Sequence, residues 1–504
     1  MMNNWDLLIM LPILFAMCFF TLLFIVFKEK VKKNQIIFLV NTALLWVILG
    51  YLSNQNSNNI PSTLLIDKAE YFSIVILGTS LFLVFLKPLA TFITGIIRNR
   101  FIWIKITYVL VFILLVIDFF TKNYINSYLF VFTTLLLSIC LASSTIFFLY
   151  CNEQYYYRIY VLPVVWIIFS FIGFGTAFGT YLNELKVLFT NYYYQNTIIV
   201  LCIILIIYLF SYSFFIQENK NLAGVFDKEI IDSIPKKNNF NFFLIYLIVF
   251  LVSITSSLNN SLIVKMFIGL NLRDYGIDYN NVISLLRTFN FLYTIPSILI
   301  SYFIYKFALK YFGQKYLIFA CLFLIFGAYT ILAFTTNPFI YISVNVFTGI
   351  LFNQIVFSLF SLCIMWNYRS PKNPVTGFFG SAMFGAKFIV SSIEKIIANL
   401  KKGVFHNVGL LSDLENIKNV NSDSLKEFDI ATTLMMSFSC MIILICILVF
   451  YFKNNSFFAD YINYNNATRN IKNLLKKRIM EKAKTKIDFS GKEKEVKSSE
   501  NIEK

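Results

Sequence analysis

The chain has 504 residues, 58% of them hydrophobic and only 14% charged. Soluble domains run nearer a quarter charged, so a soluble globular protein is excluded and an all-α polytopic membrane protein is indicated. The formal net charge is +17, but thirteen of the 43 Lys and Arg lie after Phe452, in "NLLKKRIMEKAKTKIDFSGKEKEVKSSENIEK" and the residues just before it; such a tail reads as a solvated segment brushing anionic membrane lipids, with no nucleic acid as partner.

Apolar runs long enough as helices to cross the ~30 Å hydrocarbon core recur along the whole chain. They fall at 5–27, 35–52, 70–96, 102–121, 125–150, 157–182, 196–216, 240–262, 281–305, 315–335, 338–366, 374–398 and 431–452. The first carries no positive charge before it, is followed by "KEKVKKN" and lacks an A-x-A-like cleavage site. It reads as a retained anchor with its N-terminus outside.

The other twelve divide as six and six around "QENKNLAGVFDKEIIDSIPKKNNF", where acid, base, Gly and Pro together break the apolar pattern. The expected organisation is an anchor helix and basic turn at 1–34, a six-helix bundle at 35–216, a cytoplasmic linker at 217–239, a second six-helix bundle at 240–452 and a basic cytoplasmic tail at 453–504. Placing linker and tail inside puts most Lys and Arg in the inside loops, in line with the positive-inside rule. In each half a longer external loop, 53–69 or 263–280, joins the first two helices, and a short basic turn joins the second to the third.

The eight cysteines are scattered without a CxxC, and the single histidine, His406, sits in the external loop 399–430. With no HExxH, metal-ligand cluster or deep carboxylate pair, an enzyme lacks its parts, and no cofactor or metal is implied.

Ionisable groups inside hydrocarbon cost at least ~2.5 kcal/mol each, so those within the segments are candidates for function. Asn41 could line a polar cavity, as could Asn345, Asn353 and Gln354. Lys87, before Pro88, lies near a segment end and reads as snorkelling to the interface. "GFGTAFG" at 173–179 reads as a close helix crossing, with a flexible gate as the alternative. Asn259 opens an "NNS" sequon too near the membrane for modification. Arg287 and Asn290 form an i, i+3 pair on one face, and Arg287 could hold a carboxylate or phosphate or else snorkel outward. Lys387 lies mid-segment, on a stripe with Gly380, Phe384, Ser391 and Glu394. Lys387 and Glu394 read as a central cation or proton-coupled pair, or as a structural interhelical bond. Gly377, Gly380, Ser381 and Gly385 permit close helix approach there.

Two six-helix halves with basic turns resemble the major facilitator superfamily, whose turns carry Gly, three residues, Asp-Arg, one residue, Gly and two basic residues. "GIIRNRF" keeps Gly95 and Arg100 but has Asn99 at the Asp position. "KFALKYFGQK" keeps Gly313 and Lys315, with Lys306 and Lys310 replacing the first Gly and the Asp. Loss of both acids puts the family's charge relay in doubt. In composition and layout the chain also resembles the apicomplexan amino-acid transporters. The resemblance implies alternating access about a central site. The expected function is a transporter for a small polar or anionic organic solute, amino acids favoured, with proton or ion coupling. The alternatives are a nucleoside-type transporter, a lipid scramblase or a membrane enzyme.

Overall fold

A computed structural model describes residues 4–58, 77–121, 127–154, 161–189, 192–216, 239–369, 373–406 and 420–453, together with positions 408, 411–415, 417, 477, 480 and 481. The linker 217–238, most of the loop 53–69 and nearly all of the tail lie outside these residues. Every regular element among the described residues is helical. Lipid imposes this, because a helix pairs its own backbone groups where an open strand would leave them bare.

After a π turn at Asp6–Met10, α1 runs over Leu11–Lys28. The first half then holds α2 (Lys33–Asn58), α3 (Phe82–Ile97, entered by a π turn at Leu77–Leu81), α4 (Phe101–Thr121), α5 (Ser127–Gln154), α6 (Val161–Glu184) and α7 (Tyr192–Ser213). The second half holds α8 (Asn239–Asn259), α9 (Leu262–Asp274), α10 (Tyr279–Tyr311), α11 (Gly313–Ala333), α12 (Pro338–Arg369), α13 (Val375–Leu400) and α14 (Ser422–Lys453). Twelve spans among the described residues are long and apolar enough to cross a membrane, with α8 and α9 forming one of them; α3 is a shorter apolar helix. Together they account for the thirteen expected segments.

Packing repeats between the halves. α2 crosses α6 as α8 crosses α13, α3 lies on α5 as α10 lies on α12, and α4 lies on α5 as α11 lies on α12. α4 also lies on α7, and α11 meets α14 through Phe319 on Phe450 and Thr330 beside Cys440. The two bundles touch each other at α3 with α13 and at α6 with α10, an exchange of equivalent helices.

Small residues set the closest of these crossings. A Cβ at Gly179 would fall 2.0 Å from the Val47 carbonyl oxygen, so α2 and α6 approach backbone to backbone. The "GFGTAFG" stretch is thus a helix crossing.

One expected loop is instead helix. The sequence of 263–280 predicts a long connection, yet α9 occupies Leu262–Asp274. The helical ladder stops at Asn259 and restarts because Ser261 Oγ accepts from the Val264 N–H at 3.3 Å and Glu394 Oε2 from the Leu262 N–H at 3.2 Å. Polar residues such as Lys265, Asn271 and Arg273 dilute the hydropathy of α9, although Val264, Met266, Phe267, Ile268, Leu270 and Leu272 are buried.

The extra helix α1 lies across the seam between the bundles, against α6 of the first and α10 of the second. Phe15 packs on Phe174, Phe178 and Tyr181 from α6 and on Phe291 from α10.

Candidate functional site: a cavity at the bundle seam

A cavity of about 470 Å³ opens where α2, α6, α9, α10 and α12 converge. Its polar lining is Asn54, Thr176, Thr180, Glu184, Lys265, Arg287, Asn290, Tyr293, Thr294 and Asn353, with Phe169, Gly173, Ala177, Phe291 and Ile298 as the apolar part. Arg287 and Asn290 share a face of α10, and the helical offset of three residues turns both to the seam. Asn353 reaches in from α12, held by Nδ2 donation to Ser297 Oγ at 2.8 Å and to the Gly349 carbonyl at 3.0 Å.

Arg287 is not a free cation. Its Nη1 donates to Asp6 Oδ2 at 2.8 Å and its Nε to Glu184 Oε2 at 3.2 Å, with Arg287 and Asp6 both buried. Glu184 in turn accepts from Asn54 Nδ2 at 3.1 Å. Three elements therefore meet at one guanidinium: α1's leading turn, α6 and α10. Lys265, in a stretch whose composition predicts a loop, lines the same cavity. It stands in the combined field of Glu394, which attracts it, and Lys387, which repels it.

The remaining candidates lie elsewhere. Gln354 is buried and donates to the Ser301 carbonyl at 2.8 Å. Asn41 is buried facing α7, where the Tyr208 hydroxyl donates to it at 3.5 Å. Asn345 accepts from Asn259 at 2.9 Å and donates to the Phe289 carbonyl at 2.6 Å, joining α8, α10 and α12. On α13, Glu394 is buried as the cap of α9, Ser391 is half-buried, and Lys387 is exposed, sharing electrostatic contact with Lys265 and Lys395. Lys87, expected at the interface, is 4% exposed. Its ammonium turns inward to Ser144 and Thr145 of α5 because α13 covers it.

Rings from both bundles meet beside the cavity. Phe169, which lines the cavity, packs on Phe357 with centroids 4.4 Å apart. Trp166 touches Tyr305 and Phe357, Phe148 touches Phe357 and Phe360, and Phe360 touches Phe379. This aromatic layer joins α5 and α6 to α10, α12 and α13.

No family model and no curated protein matches the chain. Solved structures do. One is a major facilitator superfamily transporter, FucP, in the outward conformation, at TM-score 0.54 and 12% identity over 80% of this chain and 97% of that one. A second is the human organic anion transporter MFSD10 (TETRAN), at TM-score 0.56 and 11% identity over 82% and 99%. A third is a bacterial homologue of the iron transporter ferroportin in an outward-facing state with soaked iron, at TM-score 0.53 and 12% identity over 81% and 98%. The fold is that of the major facilitator superfamily.

The two basic turns hold equivalent places in the two halves, and each makes polar contacts with a neighbouring helix. Asn99, at the family's Asp position, caps α4 by accepting from the Ile102 N–H at 3.0 Å. Arg100 is buried and donates to the Thr91 carbonyl at 3.0 Å, to Thr94 Oγ1 at 2.9 Å and to Glu153 of α5 at 3.5 Å. Arg100 thus finds its acidic partner on another helix, which the turn's own sequence could not show. Gly95 is buried at the end of α3, and the left-handed residue that closes this helix is Arg98, with φ 56°. In the second turn Gly313 takes φ +80°, and Gln314 donates to the Ser358 carbonyl at 2.7 Å and to Ser361 at 3.5 Å, both on α12. Lys310 and Lys315 lie over the Tyr311 and Tyr316 rings at 5.0 and 5.9 Å. Lys306 pairs with Glu29, at the far end of α1, and Tyr302 donates to the same carboxylate. Burial alone would raise the Glu29 carboxyl, but the hydrogen bonds from Lys306 and Tyr302 outweigh it and hold the group below the usual range.

Proposed function

We propose that the chain is a secondary carrier that moves a small polar or anionic organic solute by alternating access, with amino acids the favoured class. The observation that carries this reading is the cavity itself. It lies on the seam between two repeated bundles, holds Lys265 and Arg287 together with Glu184, and is bordered at Phe169 by the aromatic layer. A zwitterion matches that lining: Lys265 faces the carboxylate, Glu184 the ammonium, and Asn290 and Asn353 supply neutral donors and acceptors. Arg287, already shared between Asp6 and Glu184, organises the site more than it binds.

The bundles 35–216 and 240–452 rock as units joined by the linker 217–239, and the cavity opens to alternate sides as the aromatic layer parts. With the N-terminus outside and the tail cytoplasmic, the aromatic layer is the inner closure. Glu184 is the cavity carboxylate through which proton or ion coupling runs.

Uptake into proteoliposomes from a panel of labelled amino acids, organic anions, nucleosides and sugars tests the reading. An amino acid or organic anion is expected to enter saturably, and Lys265→Ala to reduce that uptake about tenfold, the worth of one hydrogen bond to a charged group. Uptake confined to nucleosides or sugars, or unchanged uptake in Lys265→Ala, contradicts it.

A further inference from the structure

Lys87 is buried at the contact between the two bundles, and the cavity's chemistry does not use it. Its ammonium donates to Ser144 Oγ and, at 3.5 Å, to Thr145 Oγ1, and lies 5.1 Å from the centre of the Phe384 ring. These partners are all uncharged. Unlike Arg100 with Glu153, Arg287 with Asp6 and Glu184, and Lys306 with Glu29, Lys87 forms no ion pair among the described residues. Hydroxyls and a ring face replace only part of the hydration that a buried ammonium loses.

The surroundings are shaped around this charge. A Cβ at Gly380 would come 2.5 Å from Lys87 Cδ, and one at Gly377 would come 2.5 Å from Pro88 Cα. Ser381 of α13 donates to the Val84 carbonyl of α3 alongside. Hence α13 of the second bundle seals Lys87 in place against the first. The aromatic closure adjoins it directly: Phe148 is one helical turn along α5 from Ser144, and Phe379 precedes Gly380 on α13. Parting that closure separates the same two helices and uncovers the ammonium.

We infer that Lys87 is a second station for the transported solute, which receives the solute's carboxylate once the aromatic closure parts. Ser144 and Thr145 hold the ammonium towards the seam, and their hydroxyl protons are free to donate to the incoming carboxylate. Lys265 lines the cavity, and Lys87 lies buried against the closure itself, bonded to Ser144 one turn from Phe148. The inference rests on the carrier reading and extends it to the residue that completes the passage.

Thermal unfolding and uptake of the purified full chain test this, with glutamate and succinate as probes and succinamide as the uncharged control. Wild type is expected to be stabilised by at least one carboxylate and not by succinamide. Lys87→Met should raise the melting temperature of the unliganded protein, since an uncompensated buried charge is gone. It should also lose the carboxylate-induced shift and lower uptake about tenfold or more. Lys87→Arg should keep the shift. A purely structural lysine gives the opposite pattern: Lys87→Met melts lower and still responds to carboxylate, which overturns the inference. Should Lys87→Met not fold, Lys87→Gln carries the same test, a retained carboxylate response overturning the inference and a lost one supporting it. Absence of any carboxylate response in wild type overturns the anionic-solute reading and this station with it. A response kept in both variants overturns the station alone.

Discussion

Arg287 shows how far a residue's role depends on partners that sequence proximity cannot reveal. It lies 281 positions from Asp6 and 103 from Glu184, yet holds both carboxylates. Removing one member of a buried charge pair costs roughly 3–5 kcal/mol. Arg287→Met is therefore expected to destabilise the protein on that scale, with a visibly lower unfolding temperature. Asp6→Asn, which leaves Glu184 in place, should cost less. Arg287 and Asn290 were legible from their spacing on one helix face, and both line the cavity. Asn41 and Gln354 were equally legible as intramembrane polar residues, but their direction was not. They satisfy α7 and the α10 backbone, because a buried amide bonds whatever carbonyl or hydroxyl its own helix face presents. Lys265 was hidden for a different reason: the capped restart at Ser261 turned an apparent loop into a membrane helix. Lys87 turns inward where its place in the segment predicts snorkelling, because distance to a segment end says nothing of which neighbour covers the side chain.

At the scale of elements, thirteen apolar segments were legible because a bilayer leaves helix as the solution for an apolar run of that length. The path of α1 was not, since its anchors are single residues at its two ends. One is the Asp6–Arg287 pair, and the other is Glu29 with Lys306 and Tyr302. Both clasps reach α10, while Phe15 and the Leu7 carbonyl, which accepts from Tyr181 at 3.0 Å, engage α6. Glu29 titrates below its ordinary value in the folded chain. Its contribution is therefore present above the unfolded value of ~4.3 and lost as pH falls through the lower folded value. Spin labels on α1 and α10 near Glu29 should move apart on acidification into that window, and Lys306→Gln should produce part of the same separation at neutral pH. The effect will be small, as Lys306 is half-exposed and its pair is screened. A close crossing allows no such latitude. Gly179→Val places side-chain atoms where the Val47 carbonyl stands, so folded protein should be lost from detergent extracts as judged by size exclusion.

For the whole molecule, two six-helix bundles, equivalent polar contacts at Arg100 and Gln314, and a cavity on their seam are the parts that the proposed rocking would use. The six-plus-six plan could be read from the sequence because one polar stretch divides twelve apolar segments and each half carries a short basic turn after its second. The aromatic layer could not, since Phe and Tyr abound along the chain and only the fold selects those that meet across the seam. Rocking makes a kinetic demand that neither a channel nor a scramblase shares: one solute must leave before another is carried back. Counterflow in proteoliposomes reads that demand, using labelled solute outside and an excess of the same unlabelled solute within. The expected result is labelled uptake that saturates with concentration and is accelerated by the internal load. Uptake that stays linear in concentration and ignores the internal load would contradict alternating access.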